Sequence, residues 1–122
     1  MIQGRVVNGR PTVSVMFLLP EQPEFEIDFV VDTGFNDYLT LPLQAIRLMN
    51  LPLYSSVSAR LADNSESLIP IHLATIIWDG EHKVVPVLAT GIKPLLGTNL
   101  LKGFRLEIDF FDVNGLVSIY KA

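Results

Sequence analysis

The sequence has no cysteine, no cluster of Lys and Arg, and no long hydrophobic run. Without cysteine the chain forms no disulfide, no thiolate nucleophile and no cysteine-based zinc site. Its 9 basic residues are scattered among 13 acidic ones, for a formal net charge of −4, so nucleic acid is not an expected partner. Apolar runs such as 15–19 are far shorter than the roughly 20 residues that a membrane-spanning helix needs. Residues 1–5 contain no apolar signal core, and we expect a cytoplasmic protein that does not bind a membrane.

Several motifs of familiar enzyme classes are absent as well. There is no Gly-x-Ser-x-Gly elbow, no His-Glu-x-x-His pair and no phosphate-binding glycine loop, so serine hydrolase, zinc peptidase and nucleotide chemistry lack their usual groups. The two histidines, His72 and His82, have no carboxylates at ligand spacing around them. We therefore expect neither a metal ion nor a cofactor.

Short apolar segments separated by turn residues run through the whole chain. Asn8-Gly9, Asp79-Gly80 and Asn114-Gly115 are typical of turns between strands. A helix beginning at Pro42 and one or two helical turns after Gly97 are the helical signals. With 122 residues, 49% of them hydrophobic, the chain suits one domain covering residues 1–122. We predict an all-β fold, mainly antiparallel, with a closed or sandwiched sheet and one or two short helices.

Two segments alternate between apolar and charged residues at the period of a strand. In the first, Phe25, Ile27 and Phe29 share one face and acidic side chains the other. In the second, 104–110, the aromatic and aliphatic residues share one face, and Phe110 is the last of them. This alternation indicates strands with one buried face, so we expect these apolar side chains to point into the core.

Segment 29–34 places one carboxylate at the end of an apolar strand. The polar face of the preceding strand becomes apolar at Val30, and Asp32 follows directly. A carboxylate in such surroundings is costly unless it is paired or used in chemistry. Thr33 can donate a hydroxyl hydrogen bond beside it, and Gly34 allows a sharp turn. Asp32 is therefore the candidate functional group.

With the other enzyme classes lacking their motifs, catalysis by carboxylate side chains is the chemistry that the sequence supports. Two carboxyl groups held a few ångströms apart share one proton, so one acts as a base toward water and the other as an acid toward a carbonyl. No other Asp of the chain is followed by Thr-Gly or Ser-Gly. If Asp32 is catalytic, its partner must therefore be Asp32 of a second, identical chain across a two-fold axis.

Further segments accompany Asp32-Thr33-Gly34 along the chain, at 39–42, 61–65, 78–80 and 94–97. Together they resemble the arrangement in retropepsin-like aspartic proteases, and in particular the small prokaryotic single-domain members. The resemblance implies a closed acid-protease-like barrel. It also implies a homodimer and an aspartic endopeptidase that cleaves a peptide or protein substrate.

The resemblance assigns roles by position. Asp32 is the catalytic carboxylate, and Thr33 and Gly34 support the active-site loop. The stretch that packs behind this loop is Leu95, Leu96 and Gly97.

A flap and a substrate cleft follow from the same resemblance. The hairpin 55–78 carries the flap, whose tip is Asp63, Asn64 and Ser65. The residues expected beside the substrate are Phe35, Asn36 and Asp37. Two features depart from the viral enzymes, which usually have a small residue after the triplet and glycines at the flap tip. Here an aromatic residue follows the triplet, and the flap tip contains no glycine.

The terminal strands, 2–7 and 116–120, are the dimer sheet that the resemblance implies.

Two other interpretations stay open on the sequence alone. One is a non-catalytic retropepsin-like dimer that serves as an interaction or scaffolding module. The other is a monomeric β-domain that binds a small ligand, in which Asp32 is a hydrogen-bonded turn residue.

Overall fold

A computed structural model describes residues 1–60, 62–111 and 115–122. They form one ten-stranded sheet and two short helices. The strands are β1 (Ile2–Val7), β2 (Arg10–Leu18), β3 (Phe25–Val31), β4 (Leu39–Leu41), β5 (Leu53–Arg60), β6 (Glu66–Trp78), β7 (Glu81–Ala89), β8 (Leu95–Leu96), β9 (Phe104–Ile108) and β10 (Leu116–Lys121). The helices are α1 (Leu43–Met49) and α2 (Thr98–Leu101). Within these ranges no helix has both the length and the apolar character needed to cross a bilayer.

The strands lie in the order β5-β6-β7-β4-β8-β3-β2-β1-β10-β9. Among the described pairings, β3 with β8 and β4 with β7 are parallel, and the others are antiparallel. Strand β2 also pairs with β6, which joins β2, β3, β8, β4, β7 and β6 into a closed circuit. The predicted all-β, mainly antiparallel fold with short helices is confirmed.

Turn dipeptides predicted from the sequence close two of the hairpins. Asn8 and Gly9 have φ of 50° and 77°, and Asp79 and Gly80 have φ of 51° and 81°. Two successive left-handed residues match the twist of the flanking strands, which explains the preference for Asn-Gly and Asp-Gly. They connect β1 to β2 and β6 to β7. Asn114, in the third predicted turn, lies outside the described residues.

The core is filled by side chains that alternate along the strands. Phe17 and Phe29 are fully buried, and their rings stack with centroids 5.9 Å apart. Helix α1 adds Ile46 to the same cluster. Full burial of a large apolar side chain contributes about 1.5–3 kcal/mol. Because Phe29 and Val31 are both buried, β3 is firmly anchored immediately before Asp32.

Two apolar side chains that the alternation predicts to be buried are exposed instead. Phe25 is 51% exposed and Phe110 is 61% exposed. Phe25 is the first residue of β3, and β9 ends at Ile108, before Phe110. Alternation identifies the face on which a side chain lies, but burial also requires a second element that covers this face. Phe25 lies at the first position of its strand and Phe110 lies beyond the end of its strand, and neither side chain is covered.

The terminal strands are paired within the chain. Strand β1 pairs with β2 and β10, and β10 pairs with β1 and β9. The expectation that these two strands form a sheet shared between subunits stays a prediction, because the pairing of β1 with β2 begins only at Arg5 and leaves Ile2–Gly4 with a strand partner on one side among the described residues. In the described part of the chain, the outermost strands of the sheet are β5 and β9.

Candidate active site

Strand β3 carries Asp32 to the edge of the core and holds its backbone there. Val31 lies opposite Leu96 in the parallel pairing of β3 with β8. The Asp32 amide then donates a hydrogen bond to the Leu96 carbonyl at 2.9 Å. The position of Asp32 is thus fixed by a segment distant in sequence.

A tight turn follows Asp32 and orients its side chain. The Gly34 amide donates to Asp32 Oδ1 at 2.9 Å, and the Phe35 amide donates to the Asp32 carbonyl at 3.1 Å. Asp32 Oδ2 accepts no hydrogen bond from the described residues. The side chain is half-buried, whereas Thr33 and Gly34 are exposed. One carboxylate oxygen is therefore held by the backbone, and the other has no hydrogen-bond partner in the described part of the chain.

Gly97 lies where no side chain fits. A Cβ at this position would come within 2.6 Å of both the ring and the carbonyl oxygen of Phe35, and closer still to the carbonyl oxygen of Asp37. The Gly97 amide donates to the Tyr38 carbonyl at 2.9 Å. The close approach of two backbones, which requires glycine, thus places the Leu95-Leu96-Gly97 stretch directly behind the Asp32 loop.

The first turn of α2 completes the support of the loop. The Thr98 amide donates to the Phe35 carbonyl at 2.8 Å, and the Asn99 amide donates to the Asp37 carbonyl at 3.1 Å. Thr98 Oγ1 also lies 3.2 Å from Asn36 Oδ1, within hydrogen-bond distance. Amides that have no partner inside a short helix are satisfied here by the carbonyls of the loop. The loop after Asp32 is therefore clamped along its length.

The three predicted cleft residues occupy different environments. Phe35 is half-buried and its ring lies against Gly97. Asn36 is exposed, and Asp37 Oδ1 accepts a hydrogen bond from the Tyr38 amide at 2.9 Å. All three lie directly beyond Asp32 on the clamped loop. Their contact with a substrate stays a prediction.

Strands β5 and β6 form the hairpin that carries the predicted flap. They pair from Leu53 with His72 to Arg60 with Glu66, and the side chains of the distal half are mostly exposed. Arg60 and Glu66 are 3.6 Å apart at its end. No hydrogen bond links the flap tip to the Asp32 loop in the described part of the chain.

The flap tip is closed by Asp63 in place of glycine. Asp63 Oδ1 accepts hydrogen bonds from the amide and the hydroxyl of Ser65, at 2.9 and 2.5 Å. These bonds, first that of the hydroxyl, lower the pKa of the Asp63 carboxyl. Asn64 has φ of 69°, a left-handed conformation that Asn adopts more readily than most residues. Asn64 thus supplies the backbone geometry that glycine often provides in such turns.

No family model matches the sequence, and no curated protein matches it. Among solved structures, the chain is similar to the crystal structure of a retropepsin-like aspartic protease from Rickettsia conorii. The TM-score is 0.58 and the sequence identity 18%, with 98% of this chain and 91% of that chain covered. This chain has the retropepsin-like fold. At such an identity, the similarity establishes the shared fold alone.

One residue that supports the retropepsin-like fold behind the site was missed from the sequence. Thr40 is a buried polar residue, 4% exposed, in β4. Its Oγ1 accepts a hydrogen bond from the Leu95 amide at 3.1 Å. The sequence does contain a signal that could have identified Thr40, because this polar residue lies between two leucines in a short apolar strand. A hydroxyl in that position needs a buried partner, and the partner lies in the segment that supports Asp32.

Polar side chains outside the candidate site have structural partners. The hydroxyl of Ser14 donates to Asp28 Oδ1 at 2.5 Å, on the exposed face of β2 and β3. His72 Nδ1 lies 3.0 Å from the Leu51 carbonyl, within hydrogen-bond distance. These contacts explain the positions of Asp28 and His72 without a catalytic role.

Proposed function

We propose that the protein is an aspartic endopeptidase that acts as a homodimer. The observation that carries the proposal is the presentation of Asp32, with one carboxylate oxygen held by the Gly34 amide and the other without a partner among the described residues. The chain has one Asp-Thr-Gly triplet, so a carboxylate pair requires Asp32 from each of two subunits. The retropepsin-like fold supports this assignment.

In the proposed reaction, the two Asp32 carboxyl groups share one proton. The ionised carboxylate removes a proton from water while the oxygen of that water forms a bond to the peptide carbonyl carbon. The protonated carboxyl donates its proton to the carbonyl oxygen. Collapse of the tetrahedral intermediate breaks the C–N bond, and the amine leaves with a proton from the carboxyl pair. No covalent bond to the enzyme forms.

The surrounding residues have supporting roles in this proposal. The hydroxyl of Thr33, exposed in the single chain, would donate a hydrogen bond across the two-fold axis and lock the two loops together. Phe35, Asn36 and Asp37 would form the wall of the cleft beside the carboxylates. The β5–β6 hairpin would cover the substrate, which excludes water from the reacting bond. The exposed apolar side chains on this hairpin favour an apolar peptide segment.

Asp32→Asn tests the proposal, with Asp28→Asn as its matched control. Asp28 lies within β3 and Asp32 directly follows that strand, and each substitution removes one carboxylate. Digestion of a peptide library by purified protein, read by mass spectrometry, should show cleavage by the wild type. Asp32→Asn should lower the rate by at least about a hundredfold, whereas Asp28→Asn should leave it nearly unchanged.

The oligomeric state and the cleavage of peptides together distinguish the proposed enzyme from its alternatives. Asp32→Asn should remain dimeric and folded, because an isosteric amide keeps the turn. Cleavage by Asp32→Asn at the wild-type rate would overturn the proposal. A dimeric wild type that cleaves no peptide would leave an interaction module with the same fold.

A further inference from the structure

Two apolar cavities open beside α1. The larger, of about 520 Å³, lies among the end of β2, the segment after α1 and the middle of β6. The smaller, of about 320 Å³, is lined by Leu19, Gln22, Phe25, Ala45, Leu48 and Met49. Leu19 and Met49 belong to the walls of both cavities, which therefore adjoin, and together we call them the α1 groove. Among the described residues, none that lines this groove belongs to the Asp32 loop or to the flap tip.

Helix α1 turns one side to the core and a second side to the α1 groove. Ile46 and Met49 are buried. Ala45 and Leu48, each one position earlier, line the smaller cavity, and residues three apart lie on the same side of a helix. Arg47 lines neither cavity in the described part of the chain. The helix therefore contributes apolar side chains, and no charge, to the groove.

Large apolar side chains at the rim of the α1 groove are exposed to solvent. Leu48 is 84% exposed, Val84 is 62% exposed and Phe25 is 51% exposed, although each of them lines one of the cavities. Exposed apolar surface beside a concave surface is typical of a site where another molecule binds. A small molecule inside a cavity could not cover a side chain as exposed as Leu48. The groove therefore suits a partner that extends over its rim, as a protein segment does.

Recognition at the α1 groove has to be by side chains. Binding by strand addition requires an open sheet edge, and the outermost strands in the described part of the chain are β5 and β9. Neither of these strands, as described, lines the groove. In the other common mode, an amphipathic helix inserts apolar side chains three or four positions apart into a groove. Two adjoining apolar cavities match two such side chains.

The charge beside the α1 groove is negative. Glu21 lies between Pro20, which lines the larger cavity, and Gln22, which lines the smaller one. Glu24 directly precedes Phe25, and both carboxylates are on exposed residues. Neither makes an ion pair with the described residues. Two such carboxylates at one rim favour a partner with positive charge.

We propose that the α1 groove binds a basic amphipathic helix of another protein. Apolar side chains of that helix would occupy the two cavities, against Leu19 and Met49, and would cover Leu48. Its Lys or Arg side chains would lie beside Glu21 and Glu24. A second copy is a poorer occupant, because it carries the same two carboxylates and a formal net charge of −4. An anionic membrane surface is disfavoured for the same reason. This inference goes beyond the proposed function and does not depend on it.

A labelled helical peptide of Leu and Lys, about 16 residues long, is the probe. A peptide of Leu and Glu with the same apolar pattern is its counterpart. Asp32→Asn is the host protein for all binding measurements, so that cleavage of the probe does not interfere. Fluorescence anisotropy should show a dissociation constant about tenfold lower for the Leu/Lys peptide than for the Leu/Glu peptide. A proline in the middle of the Leu/Lys peptide breaks its helix and should abolish binding.

Two substitutions in the host test the apolar and the charged part of the surface separately. Leu48→Ser should raise the dissociation constant of the Leu/Lys peptide about tenfold, because a large apolar contact is lost. Glu21→Lys should weaken binding of the Leu/Lys peptide about threefold and strengthen binding of the Leu/Glu peptide by a similar factor, because the sign of the charge at the rim is reversed.

Leu68→Ser and Glu81→Lys are the matched controls. Leu68 is 72% exposed on β6 and Glu81 is exposed on β7, and neither lines the α1 groove. Both variants should bind the two peptides as the host does. Circular dichroism confirms that every variant is folded.

Several outcomes would overturn the proposal. The first is a Leu/Lys peptide that does not bind, or that Leu48→Ser leaves equally well bound. Equal affinity for the Leu/Lys and Leu/Glu peptides, or for the peptide with proline, would exclude a basic helix as the partner. Self-association that sedimentation detects and Leu48→Ser weakens would assign the groove to a second copy.

Peptide cleavage by the wild type separates this inference from the proposed function. A peptidase that does not bind the Leu/Lys peptide at the α1 groove would exclude the helix site and leave the peptidase assignment standing. Binding that responds to Leu48→Ser and Glu21→Lys as described, in a protein that cleaves nothing, would support the helix site and count against the peptidase.

Discussion

The backbone of Gly97 lies so close to the carbonyl oxygen of Asp37 that a Cβ at Gly97 would overlap it. This contact joins the segment after β8 to the loop after Asp32. Because it involves two backbones, neither side can yield by a change of rotamer. The geometry of the candidate carboxylate therefore depends on a residue that is far from it in sequence.

Gly97→Ala should destabilise the protein by about 2–4 kcal/mol, because the added methyl group forces the two backbones apart. Urea denaturation monitored by Trp78 fluorescence measures the loss. Gly34→Ala is a suitable comparison, since a Cβ there would meet only Asp32 Oδ1 at 3.2 Å. A Gly97→Ala variant as stable as Gly34→Ala would contradict the close contact.

Thr40→Val should cost about 1–3 kcal/mol of stability, because it leaves the partly buried Leu95 amide without its acceptor. The two side chains have nearly the same shape, so the loss reports on the hydrogen bond. Thr12→Val is the control, since the Thr12 hydroxyl donates to the Arg10 carbonyl at an exposed site. Equal effects of the two substitutions on the unfolding midpoint would show that the Thr40 hydroxyl contributes no more to stability than the exposed Thr12 hydroxyl.

The flap-tip turn should loosen at acidic pH. The pKa of Asp63 is lowered from its ordinary value of 3.8, chiefly by the Ser65 hydroxyl and then by the Ser65 amide. A lowered pKa means that the folded turn favours the carboxylate. The stabilisation is complete above 3.8 and is lost as the pH falls through the lower folded pKa.

NMR titration of the Asp63 carboxyl carbon and the Ser65 amide checks this expectation. Both signals should change with a common midpoint below 3.8. Ser65→Ala should raise that midpoint toward the ordinary value, because it removes the stronger of the two bonds. A midpoint that Ser65→Ala does not move would assign the lowered pKa to another cause.

Local features of this fold were predictable from the sequence. The turn at Asn8-Gly9 depends on two adjacent residues whose backbone preferences are intrinsic. The turn at Asp79-Gly80 is a second example, since both of its residues adopt the left-handed conformation. Such signals act within a few residues, so a single sequence contains them.

The pairing of strands that are far apart in the sequence was harder to predict. The partner of Ile2 is Ile119, almost a full chain length away, and no local pattern distinguishes this pairing from one with another subunit. Phe25 and Phe110 show the same limit, because alternation does not say where the covering element ends. Thr40 was missed since its partner, the Leu95 amide, is revealed only when β4 and β8 are adjacent.

The hydrogen bond from Asp32 to Leu96 also has a consequence for biosynthesis. On the ribosome, Asp32 emerges well before the segment that accepts its amide and clamps its loop. Parallel pairing between segments so distant in sequence forms slowly and only once both are free. A nascent or truncated chain that lacks residues after β7 would therefore have no assembled Asp32 loop, and translation itself would delay the candidate site until most of the chain has been made.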